Sequence, residues 1–121
     1  MKKICYIQKI KPELKEEYKK AHDKIWPEYI KVLKDAGLNN SSIFFKKDGT
    51  IILYTECENP VESFSKIAAS PLNTKWQKEM DKYIIKEREQ VSDSTNNLKE
   101  VNALSKVRQG LEILEQIFYL E

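Results

Sequence analysis

The strongest constraint in this chain is the Asp48-Gly49 pair, set between Ile43-Phe44-Phe45 and Ile51-Ile52-Leu53-Tyr54. Runs rich in β-branched and aromatic residues read as strands. An Asp-Gly pair between two such runs favours a tight hairpin, because glycine accepts positive φ without steric cost. The remaining elements must be arranged around this antiparallel pair. Residues 3–10, KICYIQKI, alternate loosely and read as a strand, and the terminal EQIFYLE reads as the last one.

Proline marks the helices. Pro12, followed by Glu13, Glu16 and Glu17, reads as a helix start with acid near its positive end. Tyr18, His22, Ile25, Trp26, Tyr29 and Leu33 then recur at steps of three and four, one stripe of a helix. Pro27 interrupts that stripe, so two helical pieces are expected, the second ended by Gly37. Asn59-Pro60-x-Glu62 reads as a cap, a first-turn proline and an acidic third position, opening a short helix to about Ala69. Ser70-Pro71 repeats the signal, and Leu72, Trp76, Met80 and Ile84 give the stripe of a further helix. From Lys86 to Asn97 the chain is polar, with a loop expected at 93–97, and Leu98 to Val107 reads as one more helix before Gly110. The order β-α-(α)-β-β-α-α-(α)-β is that of a ferredoxin-like split βαβ fold in the α+β class. It gives an antiparallel sheet with helices on one face. The other face stays apolar and uncovered, which favours pairing with a second copy.

At 121 residues the chain suits a single domain spanning 1–121, burying roughly two-thirds of the surface it exposes when unfolded. Its formal charge is +2, and the pairs Lys2-Lys3, Lys19-Lys20 and Lys46-Lys47 are short and interspersed with acid. They build no phosphate-tracking stripe, so no nucleic-acid partner is expected. The start MKKICYIQKIKPELK lacks a signal-peptide core, and no apolar run approaches the roughly 20 residues of a membrane span. A cytoplasmic location is expected, with Cys5 and Cys57 as reduced thiols. A single histidine and no CxxC pair give little support to a metal site.

That histidine, His22, is the one side chain whose unperturbed charge change lies near neutral pH, and Tyr18 stands one turn before it. A general acid/base beside a phenol suits proton traffic on hydroxyl groups. Both residues also lie on the apolar stripe, so the spacing by itself favours a hydrogen-bonded core histidine over a catalytic one. Trp26 and Trp76 fit either a core role or a stacking platform for a sugar.

The segment EEYKKAHDKIWPE, residues 16–28, resembles the EEY-x3-H-x2-IWPE signature of L-rhamnose mutarotases. The surroundings agree: a strand ending near Pro12, a helix ending in Gly37, a hairpin, Trp76 followed by Met80, and a C-terminal IFYL similar to the family's VFYL. The resemblance implies a dimeric α/β barrel that interconverts the α and β anomers of a 6-deoxyhexose with neither metal nor organic cofactor. It implies an isomerase with His22 as proton donor, Tyr18 as a sugar contact and Trp76 as a stacking residue. Gln77 stands where the family often has a second tryptophan, and Ser41 where it often has a pocket tyrosine. Both substitutions imply a more polar or more open pocket wall, in which Trp26 is a further candidate contact, and they leave the sugar itself open. An insertion at about 86–111 has no counterpart in the family pattern. Two other readings stay open: a non-catalytic sugar-binding module of the same fold, and another small dimeric α/β-barrel enzyme such as a cofactor-free monooxygenase.

Overall fold

The computed structural model describes residues 1–85, 92–93, 98–108 and 111–121. Its elements are β1 (Lys2–Lys9), a 3-10 turn (Pro12–Leu14), α1 (Lys15–Asp23), α2 (Pro27–Asp35), β2 (Asn39–Phe45) and β3 (Thr50–Cys57). These are followed by α3 (Pro60–Ala68), α4 (Pro71–Met80), β4 (Ser92–Asp93), α5 (Leu98–Val107) and β5 (Glu112–Leu114). The sheet order is β2-β3-β1-β5-β4, and the first four follow the ferredoxin-like order expected from the sequence. β1 lies antiparallel between β3 and β5, and β2 and β3 form the hairpin.

The hairpin needs Gly49 twice over. Its φ is +94°, and an added Cβ would sit 2.3 Å from the Ile10 carbonyl oxygen. The Asp48 side chain accepts from the Thr50 N–H at 2.9 Å and closes the turn. Pro12, Pro27, Pro60 and Pro71 each stand in the first turn of a helical element. Asn59 and Ser70 cap α3 and α4 through hydrogen bonds to Glu62 N and Leu72 N. Gly37, at φ +100°, takes the left-handed position that ends α2.

Strand alternation sorts the sheet into two faces. Ile4, Tyr6 and Gln8 on β1 are buried with Ile51, Leu53, Thr55 and Cys57 on β3, under the helices. Lys3, Cys5, Ile7, Ile52, Tyr54 and Glu56 point to the other side and are only half-covered. Cys5 and Cys57 therefore lie on opposite faces, where no disulfide can join them. The helical layer includes α5, which packs along α3. Among the described residues no helix is long and apolar enough to cross a membrane.

Two expectations need correction. The terminal EQIFYLE is not a strand: β5 is Glu112–Leu114, pairing with β1 over Cys5–Ile7, and the chain beyond it leaves the sheet. Ile117, Phe118, Tyr119 and Leu120 are 90, 77, 55 and 80% exposed, so these apolar residues lack the cover a strand of this composition needs. Ile84 belongs to no helix, because α4 ends at Met80 and Ile84 forms an isolated bridge with Ile10. The four antiparallel strands stand as expected, and at their edge β4 adds a two-residue parallel ladder to β5. The loop expected at 93–97 and the stop at Gly110 lie largely outside the described residues.

Candidate active site

α1 is short, and Glu16 and Glu17 in its first turn and Lys20 in its last complement its dipole. The four-residue spacing puts Tyr18 and His22 on one face, with ring centroids 4.3 Å apart. α4 presents Trp76 to this pair edge-on, 5.6 Å from the imidazole. Tyr83, just after α4, meets Tyr18 edge to face at 5.6 Å. From α2, Tyr29 stacks on Trp76 at 5.7 Å, and Trp26, at the α2 N-cap, packs against Trp76 at 5.2 Å. Tyr18 and Trp76 thus flank the imidazole, with Tyr83, Tyr29 and Trp26 packed against those two rings.

The hydrogen bonds fix its tautomer. His22 Nδ1 lies 3.0 Å from the Tyr18 carbonyl oxygen, which can only accept. Nδ1 therefore carries the proton in the neutral ring, and among the described residues Nε2 has no partner, which leaves its lone pair available. Burial pushes the His22 pKa below its ordinary value; the Tyr18 carbonyl and Asp23 oppose this, while the Arg108 charge adds to it. Burial also pushes the Tyr18 phenol up to about 12, against a smaller downward pull from Arg108. At neutral pH the pair is thus a neutral imidazole with a basic Nε2 beside a protonated phenol. It can accept a proton from a hydroxyl group and hold an oxygen by donation.

A polar network runs behind the rings. The Tyr29 hydroxyl donates to Asn73 Oδ1 at 2.7 Å, and Asn73 Nδ2 donates to the Val107 carbonyl at 3.2 Å. Gln77 Nε2 joins at 3.3 Å from Asn73 Oδ1. Asn73 thereby ties α4 to the end of α5, where Arg108 reaches over the Tyr6 ring at 5.8 Å.

The sequence-predicted residues divide. Tyr18, His22, Trp26 and Trp76 come together, and Gln77 borders them through Asn73. Trp76 is only 3% exposed and stacked on Tyr29, so little of its ring is open to a ligand. Ser41 stands apart on β2, its hydroxyl 2.6 Å from that of Thr55. A groove of about 390 Å³ runs beside the cluster over Trp26, Trp76, Met80 and Tyr83, but neither His22 nor Tyr18 lines it. Sequence reasoning missed Asn73, Tyr83 and Arg108. Asn73 carried a legible signal, being polar on the apolar stripe of α4, three before Trp76. Among the described residues no three His, Cys, Asp or Glu side chains converge as a metal site would require.

Comparison with known proteins identifies the family. The family model described as L-rhamnose mutarotase matches residues 3–120. A relative from Oceanobacillus iheyensis, named L-rhamnose mutarotase, is 37% identical over 102 residues, covering 84% of this chain and 96% of the relative. A relative of the same name from Listeria monocytogenes serovar 1/2a is 39% identical with the same coverage. The crystal structure of an L-rhamnose mutarotase from Formosa agariphila superimposes with a TM-score of 0.74 over 100% of both chains at 22% identity, which supports the fold. The chain belongs to the L-rhamnose mutarotase family and so to the isomerases that interconvert sugar anomers.

Proposed function

We propose that this chain interconverts the α and β anomers of L-rhamnose, or of a closely related 6-deoxyhexose, with His22 and Tyr18 as its working pair. The observation that carries the reading is the neutral imidazole held in the ring cluster with Nδ1 tied to a carbonyl and Nε2 free. In the forward direction Nε2 takes the proton of the anomeric hydroxyl. The C1–O5 bond breaks with its electron pair moving to O5, and C1 becomes the aldehyde. The imidazolium returns the proton to O5, and the Tyr18 hydroxyl holds a sugar oxygen during the exchange. Rotation about C1–C2 and the reverse sequence close the ring on its other face. The lowered pKa of His22 suits both halves, since its protonated form is a stronger acid than an ordinary imidazolium. Exchange NMR of the anomeric protons of L-rhamnose tests the proposal. Exchange no faster than in buffer would refute it.

The polar residues Ser41 and Gln77 bear on the sugar. With Ser41 paired to Thr55 and Gln77 to Asn73, neither supplies an aromatic wall. We expect weaker discrimination among 6-deoxyhexoses than two further aromatic rings at these positions would give. The same NMR measurement across a panel of deoxysugars checks this, and activity confined to L-rhamnose would contradict it.

The chain is further proposed to act as a cytosolic homodimer, one domain per copy, closed through the half-covered sheet face. Cys5, Ile7, Ile52 and Tyr54 lie on that face, and Phe44, paired with Ile52, is 61% exposed beside them. The exposed tail runs along the same side, with Lys3 Nζ 3.9 Å from the Tyr119 ring centroid. A two-fold partner would cover both at once. Sedimentation at low micromolar concentration should give twice the chain mass.

A further inference from the structure

Arg108 closes α5, its N–H bonded to the Leu104 carbonyl at 3.1 Å. Its position is set from outside that helix, because Asn73 on α4 holds the preceding Val107 carbonyl. Its side chain passes into the ring cluster, where the groups facing its charge are Tyr6, Tyr29 and Tyr18, with His22 also within its field. Tyr18 is pushed up to about 12, burial raises Tyr29 as well, and the imidazole is neutral, so none of these three offers the guanidinium a negative charge at neutral pH. Among the described residues no carboxylate lies within ion-pair distance of the guanidinium. Its Nε is shielded from solvent and has no hydrogen-bond partner.

A buried guanidinium normally has a carboxylate or a full set of acceptors, since a buried charged donor left unmade is costly. Here the guanidinium bonds the Tyr29 side chain but its Nε lacks an acceptor, and its charge reaches the imidazole proposed to move the proton. We infer that Arg108 is a sugar-contact residue, its guanidinium donating to the ring oxygen O5 as the C1–O5 bond breaks. In that step O5 receives the bonding pair and becomes alkoxide-like before the His22 imidazolium protonates it. A fixed positive donor whose Nε is shielded from solvent stabilises that charge more than it stabilises the neutral sugar, which lowers the barrier rather than tightening binding. The residue comes from the segment at about 86–111, so that insertion supplies part of the site. With Ser41 and Gln77 in place of aromatic walls, recognition shifts toward charge and hydrogen bonding.

This inference rests on the mutarotase reading, and the experiment separates the two. Wild type, Arg108→Met and Arg108→Gln are compared by anomer-exchange NMR on L-rhamnose, with thermal unfolding as the control for fold. A wild type without exchange overturns the mutarotase reading itself. With an active wild type, the expected result is a fall in kcat of about 10²-fold or more in Arg108→Met, with KM changed by less than about threefold. The His22 imidazole, titrated by NMR, should also show a raised pKa once the neighbouring positive charge is gone. A folded Arg108→Met within about threefold of wild-type kcat overturns the assignment. If that variant does not fold, Arg108→Gln, which keeps length and polarity, is read by the same criterion. Faster exchange of a hexuronate than of L-rhamnose by the wild type also overturns it, since the guanidinium would then serve a substrate carboxylate.

Discussion

The two faces of the sheet are built from the same strands, one residue out of phase, and they have become different materials. On the helix-covered face Leu53 is 3% exposed and Thr55 is 3% exposed; on the other face their neighbours Ile52, Tyr54 and Glu56 stay half-open. The covered face carries the polar groups that need partners: Thr55 bonds Ser41, and Arg108 lies over Tyr6 of β1. The open face solves its polar needs locally, as when the Tyr54 hydroxyl donates to Glu56 at 2.6 Å and the Tyr54 pKa rises to about 12. Among the described residues the aromatic cluster lies on the covered side, and it is there that a histidine is held neutral. The open side offers area rather than chemistry.

The largest expected effect tests whether the chemistry belongs to the covered side alone. His22→Ala should leave the fold intact and lower enzyme-dependent anomer exchange by about 10²–10⁴-fold, the usual worth of positioned acid/base groups. Circular dichroism checks the fold and exchange NMR the rate. A folded variant with near-normal exchange would move the chemistry elsewhere.

Neighbouring residues on one strand give the next test. Leu53→Ala removes a buried side chain and should cost about 2–5 kcal/mol of stability, measured by urea unfolding and independent of protein concentration. Ile52→Ala, one position along but on the open face, should cost about 1 kcal/mol or less when the chain is dilute. Its larger effect should appear in sedimentation, as a rise in the dissociation constant of the dimer. Equal, concentration-independent losses from both substitutions would remove the distinction between the faces.

What was legible in the sequence follows the same division. Local signals wrote the hairpin at Asp48-Gly49, the helix starts at four prolines and the break at Pro27. Each depends only on backbone geometry that neighbouring residues dictate. Tyr18 and His22 were legible because helical spacing alone puts them together. Ser41 was not placed, since its partner Thr55 is 14 residues away and a bulge between Asn39 and Ser42 shifts the register. Arg108 was missed because its meaning lies in contacts with Tyr6, Tyr18 and Tyr29, which come from three other elements. The terminal IFYL was misread because its composition is that of a strand, while strand pairing depends on a neighbour that one chain does not supply beyond Leu114.

A smaller effect separates hydrogen bonding from packing within the covered site. Tyr18→Phe keeps the ring contacts with His22 and Tyr83 and removes only the hydroxyl. The loss of one donor to a sugar oxygen should slow exchange by about tenfold, the worth of a single hydrogen bond of roughly 1–1.5 kcal/mol. Full activity in this variant would reduce Tyr18 to a packing residue.

The smallest effect is in the pH dependence, where sign matters more than size. The ordinary pKa of histidine is about 6.5, and in the folded chain burial and Arg108 hold His22 below it. The base form is the neutral ring, so kcat/KM should be flat from about pH 8 down to 6.5 and change by less than twofold, because more than half of the imidazole is still neutral there. Below that range the rate should fall through the lowered pKa of the free enzyme. Stability follows the same direction: the unfolded chain binds this proton more readily, so His22 contributes nothing unfavourable above about pH 6.5, and stability is lost as pH falls through the folded pKa. His22→Gln should flatten that acid slope in urea titrations by the share one group can supply. A rate that rises from pH 7 to 5 would mean that the protonated ring is the resting catalyst, and would reverse the assignment of Nε2 as the initial proton acceptor.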